Sequence, residues 1–406
     1  MIEIKSGQRA VKSVLFTNDG KQVLSGDEEG MLRQWRVDDG QEAGKPFRAK
    51  GEIYAAVLSP DGKWLACGLR PSQRLTFRHV YARIWDARTH EKLLDIKDHT
   101  DTVFSVDISP NSTKLATGSA DKTVFIWDIA TGERLVGPLK HENCVVTVRF
   151  SPNGDRIATA TAAENSKDEK TAKWIRIYGS DNGQQLVLFD IPFMVARMAT
   201  SLAWTLDGRQ LFAATYSQVK QFDTSSGSLL KKWFVPGGGR LGSIVLSRNQ
   251  KFVVVVAYES LSFWDTSTYQ QIGTIIEHTS GIWWIALSPN DDQIATGEED
   301  GIVTLWNLRD ILPVSYLTVN VSDQLVGTVE SNTSQLPFTS ITDEAFNSWT
   351  EGNLTRVERL LTEDITHGHS PFHLANMLAQ RSLVNARLQR SDMAIDDAKR
   401  VIFSRQ

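Results

Sequence analysis

The sequence predicts an all-β architecture of seven four-stranded units, followed by a small all-α helical tail. Three observations carry that expectation. An aromatic residue closes a short alternating strand at Trp35, Trp85, Trp127, Tyr178, Phe222, Trp264 and Trp306, with successive spacings of 50, 42, 51, 44, 42 and 42 residues. A turn signal keeps step with it, reading FTNDG, LSPDG, ISPNS, FSPNG, WTLDG, LSRNQ and LSPND, where Pro, Asn, Asp and Gly reverse the chain. From about Thr318 both markers stop, a polar stretch intervenes, and helical periodicity begins.

Within each unit the order of elements follows from the same signals. After the turn comes an apolar strand such as KLATGS or QIATGE, a polar turn such as ADK or EDG, and an alternating strand such as TVFIWD or IVTLWN. A second polar turn leads to a fourth strand such as KLLDIK or QQIGTI. Four short strands in about 42 residues, repeated seven times, amount to one antiparallel sheet per unit. The N-terminal MIEIKSGQRAV aligns without a gap on LLDIKDHTDTV, so Met1 to Lys5 are expected to supply the fourth strand of the last sheet. Residues 281 to 308 would supply the other three, and closing the ring this way removes an exposed sheet edge. A competing closing strand is available in PVSYLTV, Pro313 to Val319, although its leading proline suits an edge better.

The two phase-locked markers resemble the WD-repeat β-propeller family over about residues 1–317. The fold class expected is therefore an all-β seven-bladed propeller followed by a small all-α helical tail. The resemblance also implies one buried hydrogen-bonded chain per blade, running through a loop His, a Ser or Thr, a turn Asp and the strand Trp. His99, Thr117, Asp121 and Trp127 fill those positions in unit three, and His278, Thr296, Asp300 and Trp306 in unit seven. Unit four keeps His141 and Thr159 but has Ala172 in place of the Asp, and unit one has Glu29 there. Units five and six are degenerate: Phe222-Asp replaces Trp-Asp, and VVVVAYESLSFWD lacks the turn Asp.

Composition narrows the class. The 406 residues are 41% hydrophobic and 23% charged, ordinary for a soluble globular protein. A formal charge of −4 provides no overall basic field, which argues against nucleic acid or anionic lipid as the partner. Cys67 and Cys144 are the two cysteines and sit in apolar runs, so they read as small buried hydrophobes in a reducing compartment. The N-terminus lacks a signal-peptide h-region, and FVVVVAY is too short to cross a bilayer. The expected location is the cytoplasm, with the nucleus also compatible.

A His, Ser/Thr and Asp set invites a hydrolase reading. Its recurrence once per blade, with a packing role for each member, favours structure over catalysis. No GxSxG elbow occurs, the eight histidines show no metal-ligand spacing, and VPGGGRLG lacks the Walker lysine and a following helix. The expectation is therefore no enzyme, no cofactor and no metal.

The resemblance places the loops between blades and the second-to-third-strand turns on one face, around the mouth of a central channel. Alignment on Val103 puts Lys12, Tyr54, Phe104, Val146, Thr200, Gly242 and Trp283 at one position of that rim, and Met198 and Arg240 two residues earlier in their units. Lys12, Tyr54, Phe104, Met198, Arg240 and Trp283 are the candidate protein-binding residues, because aromatics, Met and Arg are the side chains interfaces favour. The competing reading is that some of them plug the channel or pack against neighbours. A loop, LRPSQRLTFRH, brings Arg70, Arg74 and Arg78 to the same face, where they suit an acidic or phosphorylated segment or form a solvated excursion. The function expected is a non-catalytic scaffold for other proteins or peptides; the alternatives are a propeller enzyme or a phosphopeptide reader.

The tail divides into a polar linker, 318–340, and a helical segment, 341–406. Ser370-Pro371 opens one helix and Ser391 caps the last, SDMAIDDAKRVI, whose Ala394 and Ala398 resemble the second helix of a tetratricopeptide unit.

Overall fold

In the computed structural model the described residues are 1–71, 80–162, 175–189, 201–215, 217–236 and 241–317. They form seven four-stranded antiparallel sheets, each with its strands in sequence order except the last. The first strands of successive sheets touch one another around the ring, and Val11–Phe16 of the first packs on Ile282–Leu287 of the last. This is a seven-bladed β-propeller. Contacts divide the chain into two units, Met1–Leu317 and Thr318–Gln406, and the linker and tetratricopeptide-like expectations lie outside the described residues.

The ring closes through the N-terminus. Ile2–Lys5 pairs antiparallel with Ile302–Asn307, with Ile2 opposite Leu305 and Lys5 opposite Ile302. Ile4 is buried against Val303 and Leu305 of blade 7 and Val11 and Val14 of blade 1, so one side chain holds the seam from both sides. Burying such an isoleucine stabilises by about 1.5–3 kcal/mol. Gly301 (φ +85°) fits the seam because a Cβ there would stand 2.5 Å from the Gly7 carbonyl oxygen. The competing closing strand does not form. Val314–Leu317 is instead a helical turn whose Tyr316 hydroxyl donates to Asp265 at 2.7 Å in blade 6.

The turn marker has a common geometry. In all seven blades the Ser or Thr opening the first turn donates its hydroxyl to the Asp or Asn two residues on, from Thr17–Asp19 to Ser288–Asn290, at 2.6–2.9 Å. Backbone bonds reinforce these side-chain turns, as from Gly20 N–H to Thr17 O and from Thr17 N–H to Gln22 O, both 2.9 Å, and with the reversal held by main chain and one side chain the marker's other positions are free to vary. The apolar run Phe252–Ala257 is a fully buried strand of blade 6. Cys67 is buried as expected of a small hydrophobe, whereas Cys144 is half-buried and donates its Sγ to Ala120 O.

Candidate interaction site at the channel mouth

The buried chain in blade 3 runs without a break. The Trp127 indole N–H donates to Thr117 Oγ1 at 3.0 Å, and Thr117 Oγ1 lies 2.8 Å from His99 Nε2. His99 Nδ1 lies 2.8 Å from Asp121 Oδ2. One tautomer satisfies every atom: Thr117 donates to Nε2, and Nδ1–H donates to the carboxylate. Burial pulls the Asp121 carboxyl upward, but hydrogen bonds from His99, Thr123 and Thr100 outweigh it and hold its pKa at about 2. Thr117 is wholly buried, with its oxygen engaged by both neighbours.

Blade 7 is wired differently, and the expectation for Asp300 is corrected. His278 Nδ1 meets Glu298 Oε1 at 3.0 Å, and the same oxygen accepts from Thr296 at 3.0 Å and Thr304 at 2.7 Å. Asp300 is exposed and accepts only from Ile302 N, in its own turn. The reason is strand geometry: Glu298 stands two residues after Thr296 on the same buried face, and its longer side chain reaches His278 first. His278 Nε2 and Trp306 Nε1 are left buried without partners.

Blade 1 is corrected in the same sense. Glu29 is exposed, and the turn is held by buried Asp27, which accepts from Glu29 N at 2.9 Å and Met31 N at 2.8 Å. Ser6 and Ser25 hydroxyls meet at 2.8 Å, and Ser25 takes the Trp35 indole N–H. In blade 4, His141 Nε2 contacts Thr159 at 3.0 Å and the Tyr178 hydroxyl at 3.3 Å. Burial, with the nearby Arg176 charge, pushes the His141 pKa down to about 4.

The aligned rim position has a structural meaning that sequence alone did not reveal. Five of the seven innermost strands break register across that single residue: between Val11 and Ser13, Ile53 and Ala55, Val103 and Ser105, Val145 and Thr147, and Ile282 and Trp284. Lys12, Tyr54, Phe104, Val146 and Trp283 are thus the extra residues of β-bulges, and a bulge re-aims its side chain. Four of them form one continuous patch across blades 7, 1, 2 and 3. Lys12 Nζ lies 5.4 Å from the Trp283 ring centroid and 4.1 Å from that of Tyr54, and the Tyr54 ring packs edge-on against Phe104 at 5.3 Å.

Lys12 is not an exposed anchor. It is 6% exposed and paired to Glu28 at 2.8 Å and Glu52 at 3.5 Å. Burial opposes its charge, yet Glu28 and Tyr54 outweigh burial and raise its pKa. Tyr54, Phe104 and Trp283 remain half-exposed. Arg70 lies 3.9 Å from Glu52, and the Tyr54 hydroxyl and Glu52 raise its pKa. Met198, Arg240, Arg74 and Arg78 lie outside the described residues.

The residue that reaches across the channel is the next one along. The Arg149 guanidinium of blade 4 sits 5.7 Å from the Trp284 ring of blade 7, between sheets that are not neighbours. Trp284 and Arg149 therefore reach over the central axis, which leaves Trp283 to the rim. Sequence reading missed Trp284, Arg149, Glu298 and Asp27; the period-2 alternation from Thr296 to Glu298 was the signal that would have found Glu298.

A family described as WD domain, G-beta repeat matches the chain in three places, residues 3–36, 90–128 and 269–307. With the seven sheets above, the chain is a seven-bladed β-propeller that carries WD repeats in three places. It is similar to a serine-threonine kinase receptor-associated protein from Gallus gallus, 24% identical over 69% of this chain and 73% of that one. It is also similar to eukaryotic translation initiation factor 3 subunit I from Aspergillus niger, 45% identical over 17% of this chain and 21% of that one. Protein groucho from Drosophila melanogaster is 28% identical over 28% of this chain, and the match spans 15% of its length. In rat apoptotic protease-activating factor 1 the match spans 9% of the length. Similarity to WD40 propellers points to a protein-interaction role.

Proposed function

We propose that the protein is a non-catalytic scaffold that holds partner proteins or peptides on the rim of its propeller. The observation that carries this reading is the half-exposed Trp283, Tyr54 and Phe104 patch, aimed by β-bulges on three blades and joined by Lys12. Aromatic anchors on a rigid frame are what energetically dominant interface residues require, since little side-chain entropy remains to be lost. The similarity to a receptor-associated protein and to a subunit of an initiation factor supports the same reading, because both names describe proteins that work in assemblies. The histidine-containing sets serve the fold, with Thr117 closed off by His99 and Trp127. The phosphopeptide alternative rests on Arg70, Arg74 and Arg78, and Arg70 stands beside Glu52.

Affinity purification from cells, comparing wild type with Phe104→Ala and Tyr54→Ala, tests the scaffold reading. Losing one anchor typically costs about 2 kcal/mol or more, or roughly 30-fold in affinity. Both variants should lose the co-purifying protein while melting close to wild type. Full retention of partners in both variants, with lowered melting temperatures, would show that the patch serves packing.

A further inference from the structure

The rim already holds a cation, and its surroundings indicate what else it accepts. The Lys12 ammonium stands over the face of Tyr54, near Trp283, between the Glu28 and Glu52 carboxylates. Two π faces and two carboxylates make a cage for an ammonium or guanidinium group, because ring faces and carboxylates both present negative potential. The turns around this cage extend the same sign. On the second-to-third-strand turns of blades 6, 7 and 1 stand Glu259, Glu299, Asp300 and Glu29, all exposed. Glu299 and the exposed Tyr258 ring lie beside Gly281, where a Cβ would meet Glu299 Cδ at 2.9 Å and Tyr258 Cε2 at 3.0 Å, two residues from Trp283. Against these carboxylates the neighbouring inter-blade loops offer exposed Arg9 and Lys50, while Lys12 and Arg70 already face Glu28 and Glu52. The chain as a whole carries only −4, so this arc concentrates negative charge beside the aromatic anchors.

We propose that the mouth on blades 6, 7, 1 and 2 takes a basic segment of a partner protein, and that one of its lysines or arginines enters the Tyr54, Trp283, Glu28 and Glu52 cage in competition with Lys12. This rests on the rim being the docking face. Aromatics supply contact area, and the carboxylate arc selects sign and speeds encounter. Lys12 is then a built-in competitor. It keeps the cage paired while the partner is absent and swings to solvent when a cation replaces it.

The test uses the full chain and a fluorescein-labelled Gly-Arg-Lys-Gly-Lys-Arg-Gly peptide, with its glutamate counterpart as control, read by fluorescence anisotropy. The basic peptide should bind, and several-fold more weakly at about 300 mM than at about 50 mM salt, because screening shortens the reach of exposed charges. Glu28→Gln with Glu52→Gln should weaken it by about tenfold. Lys12→Met should tighten it several-fold by vacating the cage. Binding of the glutamate peptide instead, or weakened binding of the basic peptide by Lys12→Met, would overturn the inference. So would basic-peptide binding indifferent to all these changes. If the inference fails while Phe104→Ala still strips the cellular partner, the rim remains the docking face for a partner of other chemistry. If Phe104→Ala changes nothing either, the scaffold reading fails as well.

Discussion

Blades 3 and 7 share the same His, Thr, Asp and Trp spacing, and the two sheets solve the problem of burying those groups differently. In blade 3 each polar atom has a partner, from the Trp127 indole to the Asp121 carboxylate. In blade 7 the residue matching Ser119 is Glu298, and its carboxylate draws in His278, Thr296 and Thr304. Thr296 donates to that carboxylate and the Trp306 indole finds no acceptor, while Asp300 stays in solvent. One substitution at a neighbouring position rewires four others without altering the fold. A conserved-looking spacing therefore specifies the strand and turn, and the identity of the adjacent side chain specifies the hydrogen bonds.

The comparison is broken most easily at the tryptophans. Trp127 is 3% exposed and hydrogen-bonded, so Trp127→Ala should cost about 3–5 kcal/mol through its cavity and the stranded Thr117. Trp306 is half-buried with no hydrogen bond to lose, and Trp306→Ala should cost roughly 2 kcal/mol. Denaturant midpoints of both variants measure the gap. Equal losses would mean that the indole hydrogen bond and the deeper burial contribute nothing in blade 3.

Acid sharpens the contrast. The Asp121 carboxyl titrates at about 2 when folded and near 4 when unfolded. A lowered folded pKa adds stability that is complete above the unfolded value and is lost as pH falls through the folded one. The window is thus about pH 4 to pH 2, and a gap of roughly two units is worth about 2–3 kcal/mol. Asp121→Asn should flatten the acid limb of melting temperature against pH in that window. At neutral pH, Asp300→Asn should leave the melting temperature close to wild type, because that carboxylate meets only its own exposed turn. An acid limb unchanged by Asp121→Asn would remove the linkage.

Much of this was open to sequence reading, and the part that was not has a physical cause. The blade count and N-terminal closure were legible because turn chemistry and period-2 alternation are local, and seven repeats average out local noise. The blade 3 network was legible because Asp121 is the acid nearest its turn. In blade 7, by contrast, two acids compete for one histidine, and Glu298 wins by facing inward from the strand, which depends on register and reach rather than spacing. At the rim, alignment marks the position, but its β-bulge character depends on pairing with the next strand of the same blade, and Lys12 is buried between Glu28 of its own blade and Glu52 of the neighbouring one. The same holds for Arg149 and Trp284, which meet although their strands are far apart in sequence and in the ring.

The smallest expected effect is also the most direct test of why the two blades differ. Glu298→Ser gives blade 7 the residue found in blade 3 at Ser119. Thr296 Oγ1 would then be free to accept from Trp306 Nε1 and to donate to His278 Nε2, and His278 Nδ1–H could turn to Asp300. One satisfied network replaces another that left two buried atoms unpaired, so net stability should change by no more than about 1 kcal/mol. Rewiring shows itself in coupling. In the wild-type background Asp300→Ala touches an exposed turn and should stay within about 0.5 kcal/mol. In the Glu298→Ser background the same change would strand His278 and should cost about 1–3 kcal/mol. The difference is the interaction energy of a double-mutant cycle between positions 298 and 300. Slower hydrogen exchange of the Trp306 indole N–H in Glu298→Ser would report the bond itself. If the cycle closes with no coupling and the indole exchanges as before, Glu298 is not what separates blade 7 from blade 3, and the cause must lie in the backbone of the closing seam.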